Sequence, residues 1–291
     1  MTLAQIILLA VTASMFLIVF ALGLETTLRD AMSLFRQPGL FVRSILAMNI
    51  IMLGFAVAAA LLFDLPPAIK IALVALAVSP VPPILPSKQY KAGGSAPYTI
   101  GLLVAAAVVA IVLVPVVVLL LGQTFAIDLR MPVGKVASIV LISVIVPLGV
   151  GIALRWVAPE FAQCIDRPVS LFATVLLVIA VLPVLFTAWP AVWALVGNGL
   201  VLFLVLFTLI GLAVGHFLGG PNPDNRSVLA LATGTRHPGV AIAIASVNFP
   251  DQRAVLAVVF YHLVIGAIVS FPYVNWRTRC HAAASQVKAR L

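Results

Sequence analysis

Arg236 and His237 stand in the middle of "LALATGTRHPGVAIAIASVNF", residues 229–249, a run otherwise apolar enough to lie in a membrane. A guanidinium does not shed its charge, and its planar fork of donors fits a carboxylate or a phosphate. Gly234 and Pro238 flank the pair and interrupt any helix that passes through it. A helix broken there restarts near Gly239 with free N–H groups and the positive end of a dipole, and both favour an anion. Arg236, His237, Thr233, Thr235 and Gly239 therefore form a candidate substrate-binding group. A plainer reading fits the same residues: Arg236 rests on carbonyls freed by the break and reaches towards water. His237 can carry a proton or act as a neutral donor. Thr233 and Thr235 can donate to a ligand or bond back to carbonyls of their own helix.

Two more candidates lie elsewhere. In "IALVALAVSPVPPILPSKQYKAGG", residues 71–94, Pro80, Pro82, Pro83 and Pro86 each lack a backbone donor and cannot sit inside a regular helix. The half-helix after that break starts near Ser87. His262, in "VVFYHLVIG", is a polar group in an apolar run; such groups face the bundle interior or a cavity, or join helices by a hydrogen bond. Lys88 could line an inner vestibule or simply anchor its span. All eight acids (Glu25, Asp30, Asp64, Asp128, Glu160, Asp166, Asp224 and Asp251) fall in loops or at span ends, so none is expected to pair with Arg236. Signatures of a nucleophile elbow, a zinc protease helix or a P-loop are absent, which argues against an enzyme. Cys164 and Cys280 give no disulfide framework, and Cys280-His281 alone is a weak metal signal. No metal or cofactor is expected from these residues.

Positioning such groups requires a membrane scaffold. Hydrophobic residues make up 64% of the chain and charged ones 9%, far below the quarter common in soluble domains. An all-α polytopic membrane protein follows, with nine expected spans: 4–24, 39–63, 67–92, 97–121, 134–157, 168–189, 194–218, 226–249 and 253–275. The first reads as an uncleaved span rather than a signal peptide. Residues 1–276 form one transmembrane domain, and 277–291 a polar cytoplasmic tail that frays. The broken third and eighth spans lie five apart, an odd offset that reverses direction. Halves 1–121 and 168–275 are thus an inverted repeat with two broken crossing helices, the best pointer in sequence to a transporter's central site.

With the N-terminus outside, the inner segments hold twelve bases (Arg29, Arg36, Arg43, Lys88, Lys91, Arg155, Arg167, Arg226, Arg277, Arg279, Lys288 and Arg290). The outer ones hold four, Lys70, Arg130, Lys135 and Arg253. That bias places the C-terminus in the cytoplasm of a plasma (inner) membrane. The net charge of +9 is spread between apolar runs, not gathered for nucleic acid.

Three landmarks in order resemble the bile acid:sodium symporter family across nearly the whole chain. They are "MFLIVFALGLETTLRDAMSLFRQPG", "LPPAIKIALVALAVSPVPP" and "LALATGTRHPGVAIAIASVNF", with Tyr261-His262 matching an aromatic-His pair. The resemblance implies broken helices crossing in a core packed on a flatter panel, alternating access between them, and two sodium ions at the crossing. Here the chain departs from the pattern. Ala232 replaces the sodium-site glutamate, Arg236 the glutamine and His237 the asparagine; Leu85 and Pro86 replace a serine-asparagine pair; Leu103 replaces a threonine. Thr99 alone matches a sodium ligand. The expectation is a secondary-active or facilitative transporter of a small organic anion, not coupled to sodium in the family's usual way. The alternatives are a sodium-dependent symporter with a rearranged ion site, and a non-transporting sensor or assembly partner with the same fold.

Overall fold

The computed structural model describes residues 3–196, 198–252 and 254–290, so Arg253, expected as an outer base, lies outside the described residues. Every regular element among them is helical. Lipid offers no partner for a backbone N–H or C=O, so an apolar run has to satisfy both within itself. In chain order the α-helices are α1 (Leu3–Glu25), α2 (Leu28–Ala31), α3 (Pro38–Ile45), α4 (Met52–Leu62), α5 (Pro67–Val78), α6 (Leu85–Lys91) and α7 (Ala96–Phe125). They continue with α8 (Val133–Val140), α9 (Val146–Val157), α10 (Pro159–Val196), α11 (Leu200–Leu218), α12 (Pro223–Gly234), α13 (Pro238–Asn248) and α14 (Ala254–Arg290).

Seven helical stretches among the described residues are long and apolar enough to cross a bilayer: Pro38–Leu62, Ala96–Phe125, Val133–Val157, Pro159–Pro183, Leu200–Leu218, Pro223–Asn248 and Ala254–Ala284. The expected first and third spans carry shorter apolar helices, Leu9–Glu25 and Pro67–Val78. The proline run explains the third. It stops α5 after 12 residues, and at ~1.5 Å per residue that is too short to cross the hydrocarbon alone. The segment after Asn275, expected to fray, instead continues α14 through Arg290. Arg277 ties it to the start of α12, Nε donating to Ser227 Oγ at 2.7 Å and Nη2 to the Pro223 carbonyl at 2.9 Å. Thr278 Oγ1 donates to the Lys91 carbonyl at 2.6 Å, fixing the end of α6.

The helices fall into two groups. α1 packs on α9 and α10, with small apolar clusters of its own such as Ile18, Ala173 and Leu177. The main hydrophobic core is built by α4, α5, α7 and α11–α14. The interrupted stretch Pro223–Asn248 lies at its heart, 89% buried against 17% for Pro159–Pro183. Access of backbone to backbone makes this packing possible. Gly211, Gly215 and Gly219 line one face of α11 against α12, where a Cβ on Gly211 would sit 2.6 Å from Gly234 Cα. Gly23 of α1 meets Gly151 of α9 in the same way. Small residues at spacing four are the usual means of close helix approach in membranes.

Candidate functional site

The backbone is non-helical at both proline-bearing segments. Ser79 leaves α5 in an extended conformation and α6 begins at Leu85. Thr235 leaves α12 extended, and α13 begins at Pro238, where a missing N–H costs nothing. One backbone hydrogen bond joins them: the His237 N–H donates to the Pro80 carbonyl at 2.9 Å.

Arg236 is fully buried at this junction. Its Nη1 donates to the Ser79 carbonyl at 3.3 Å and its Nη2 to the Met48 carbonyl, while Nε has no partner among the described residues. Both partners are main-chain carbonyls, and Ser79 is at the C-terminal, negative end of α5. Met48 belongs to a π-helical turn, Leu46–Ile51, between α3 and α4. A second π-helical turn, Leu141–Ile145, carries Ser143, whose Oγ is 3.4 Å from His237 Nε2. The widened backbone of a π turn loosens the carbonyl ladder and often marks a functional position. Neither turn has a signal in the apolar sequences that form them.

His237 caps α13. Its Nδ1 accepts from the Gly239 N–H at 3.1 Å, which uses the first free donor of that half-helix and leaves the ring proton on Nε2. Thr233 Oγ1 bonds back to the Leu229 carbonyl at 2.8 Å. Thr235 is half-buried in the break. His262 is fully buried with neither ring nitrogen partnered among the described residues, its ring edge-on to Phe207 at 5.2 Å. The positions that the resemblance assigns to sodium are occupied by packing: Ala232, Leu103 and Leu85 belong to the main core. Thr99 is buried, and its hydroxyl has no partner among the described residues. A hard cation wants several oxygen ligands with an acid to offset its charge. One hydroxyl beside apolar side chains does not fit that demand.

Of the seven substrate-binding candidates, Ser87 lines an open cleft. The cleft encloses about 620 Å³, open solvent at its mouth included, between α1 and α10 on one side and the first break on the other. α10 presents Asp166, Arg167, Ser170 and Thr174 to it, α1 presents Glu25, and α6 presents Tyr90 beside Ser87. Glu25 ends α1 just beyond the first apolar span. Burial and then contact with the Asp166 carboxyl push the Glu25 carboxyl up from its ordinary value, against an opposing pull from Arg155. Arg167, expected among the inner anchors, lies on a polar face of α10 with Ser170 and Thr174. Residues 167, 170 and 174 recur at helical spacing, which is the signal that could have found them.

A sequence model described as the Sodium Bile acid symporter family matches residues 12–192, more than half of the chain. The match takes in the cleft and the first break, and Arg236 lies beyond it. No curated protein matches the chain.

Proposed function

The chain belongs to the sodium bile acid symporter family, and from that premise we propose that it carries a small organic anion without using sodium as its coupling ion. Membership and the apolar helices make it an integral membrane protein of transporter type. The finer reading rests on one observation: the Arg236 guanidinium donates to the Ser79 carbonyl at the end of α5 and to the Met48 carbonyl in the π turn Leu46–Ile51. A fixed cation thus does there what a bound sodium ion would do, and it does not leave with the substrate. Ala232 in place of a carboxylate removes the charge that would draw a second cation in.

Substrate enters the cleft, where Arg167 and Ser87 meet its anionic group and Tyr90, Ser170 and Thr174 supply further donors. Arg236, His237, Thr233, Thr235, Gly239 and His262 hold the crossing behind that contact surface. The N-terminus lies outside and the C-terminus in the cytoplasm. The lost sodium ligands also favour a second reading, a sensor of the same fold that binds an anion without moving it.

The test is uptake of taurocholate and of a series of small carboxylates into liposomes carrying the full chain, with sodium exchanged for potassium or choline at constant pH. Transport is expected to be the same in all three salts. Uptake that needs sodium overturns the reading. Binding by thermal shift with no uptake in any salt supports the sensor instead.

A further inference from the structure

At the end of the bundle where α11 turns into α12, two arginines lean on one residue. Gly220 has a positive φ of 83°, a conformation that glycine takes without strain. Arg226, in the first turn of α12, donates from Nε to the Gly220 carbonyl at 2.7 Å. Arg43 reaches the same residue from α3, where its Nη1 would stand 3.0 Å from a Cβ on Gly220. Arg43 is exposed and has no hydrogen bond among the described residues, and neither Nη of Arg226 has a partner among them. No carboxylate among the described residues pairs with either arginine; Asp224, two residues before Arg226, makes no ion pair with it. Two guanidinium charges that cannot be shed repel each other where no acid offsets them. Their free forks are donors suited to a phosphate.

The surface around the pair is apolar. Phe217, in the last turn of α11, is 80% exposed, Val42 of α3 61% and Leu46 just beyond it 41%. All three belong to stretches long and apolar enough to cross a bilayer, so their exposed side chains lie against lipid. An aromatic cluster marks the headgroup level beside them. His216 Nδ1 is 2.8 Å from Tyr273 Oη, and the Trp276 ring is 5.6 Å from that of His216. Tyr273 Oη also donates to the Arg226 carbonyl at 3.5 Å, which sets the start of α12 at that level. A phospholipid supplies both parts that this surface calls for, a phosphate for the arginines and acyl chains for Phe217 and Val42. A choline or ethanolamine headgroup would bring its own cation against the pair, whereas a glycerol headgroup would not, so net negative charge is selected. The same two stretches are tied once already, by Arg236 beyond the far end of α12 donating to Met48 in the π turn that follows α3.

We propose that Arg43 and Arg226 bind the phosphate of an anionic phospholipid, whose acyl chains lie along Phe217 and Val42, and that the bound lipid clamps α3 to the start of α12. The inference is independent of the transported substrate and of its coupling ion. The full chain is purified in a neutral detergent, in a Cys164→Ser, Cys280→Ser background, since both native cysteines are exposed. Its melting temperature is titrated with phosphatidylglycerol, with phosphatidylcholine of the same chains, and with inorganic phosphate. Phosphatidylglycerol is expected to raise it saturably, and the other two to leave it unchanged. Half-saturation is expected about fivefold higher in Arg43→Gln, the loss of one base beside an anionic headgroup. It should not move in Arg279→Gln, an exposed base on the extension of α14. Arg43→Glu sets a carboxylate beside Arg226 in the place of the phosphate. The response to phosphatidylglycerol should then vanish while the lipid-free melting temperature stays at that of the parent or rises, which separates a lost site from a lost fold. Equal responses to both lipids, an Arg43→Gln variant that titrates like the parent, or a like shift in Arg279→Gln overturns the site. A lipid-free Arg43→Glu variant that melts below the parent overturns the clamp. A response to inorganic phosphate equal to that of phosphatidylglycerol overturns the lipid as its occupant.

Discussion

Arg236 carries a permanent charge into the most buried part of the molecule and meets no carboxylate there. Burying an ion costs several kcal/mol, and a hydrogen bond to a charged group returns about 1.5–3 kcal/mol. Two such bonds, with the negative end of α5 close by, offset most of the cost. The proposed role follows from the identity of those acceptors. Main-chain carbonyls freed at a helix end or a π turn are what a metal cation would seek, whereas a substrate-binding guanidinium would keep its fork towards the cleft. If guanidinium and sodium ion are interchangeable at this point, the exchange should run backwards. Arg236→Gln removes the fixed charge, and Ala232→Glu adds a carboxylate four residues earlier, in the last turn of α12. The doubly substituted protein is expected to gain thermal stability from sodium and not from potassium or choline. Saturation at 100 times Kd is worth about 2.7 kcal/mol, or roughly 5 °C for a chain of this size. Arg236→Gln alone, with no acid to complete the set, should show no sodium response. A double variant as blind to sodium as its parent would refute the equivalence.

α11 and α12 can approach this closely only because side chains have been removed from the faces between them. A Cβ on Gly215 would sit 2.6 Å from the backbone nitrogen of Ala230, with no flexible side chain to give way. Gly215→Leu should therefore force α11 off α12 and open the break that holds Arg236. Overpacking of this kind costs about 1–3 kcal/mol, to be read as a lower melting temperature of the purified protein. Gly54→Ala, at a position with open space around it, is the control and should be neutral or slightly stabilising. The breaks themselves were legible in the sequence, because Pro80, Pro82, Pro83 and Pro238 lack the donors a helix needs. The π turns at Leu46–Ile51 and Leu141–Ile145 were not, since one extra residue in a turn leaves apolar periodicity almost unchanged. The cleft was missed for another reason. Glu160, Asp166 and Arg167 made residues 158–167 look like a loop, yet Pro159 opens a helix of 38 residues. Asp166 and Arg167 thereby share a face with Ser170 and Thr174, and charges that resembled membrane anchors became the lining of a cavity.

At the scale of the whole molecule, the two helix groups meet along an apolar seam beside that cleft. Ile84, between the prolines of the first break, packs on a cluster of Ile18 from α1 with Ala173 and Leu177 from α10. The side chains at this contact are all hydrocarbon, and apolar contact is non-directional, so it can slide where a polar network would lock. The rigid element behind Ile84 differs in kind. Gln89 Nε2 donates to the Val228 carbonyl at 2.8 Å, and the His237 backbone N–H to the Pro80 carbonyl at 2.9 Å, so α6, α12 and both breaks are tied into one body. Under the transport reading proposed above, alternating access would consist of that body shifting against α1 and α10, with the Ile84 contact as its sliding surface. Ile18→Cys with Ile84→Cys, in the background free of Cys164 and Cys280, places one thiol on each side of the seam. Bridging them with a short bifunctional maleimide should abolish taurocholate or carboxylate flux, while either single variant treated alike keeps it. A reducible linker should restore flux when it is cleaved. If the bridged protein transports at the parent rate, the two groups do not move past each other at this seam, and the cleft must open by a local motion of α6 instead.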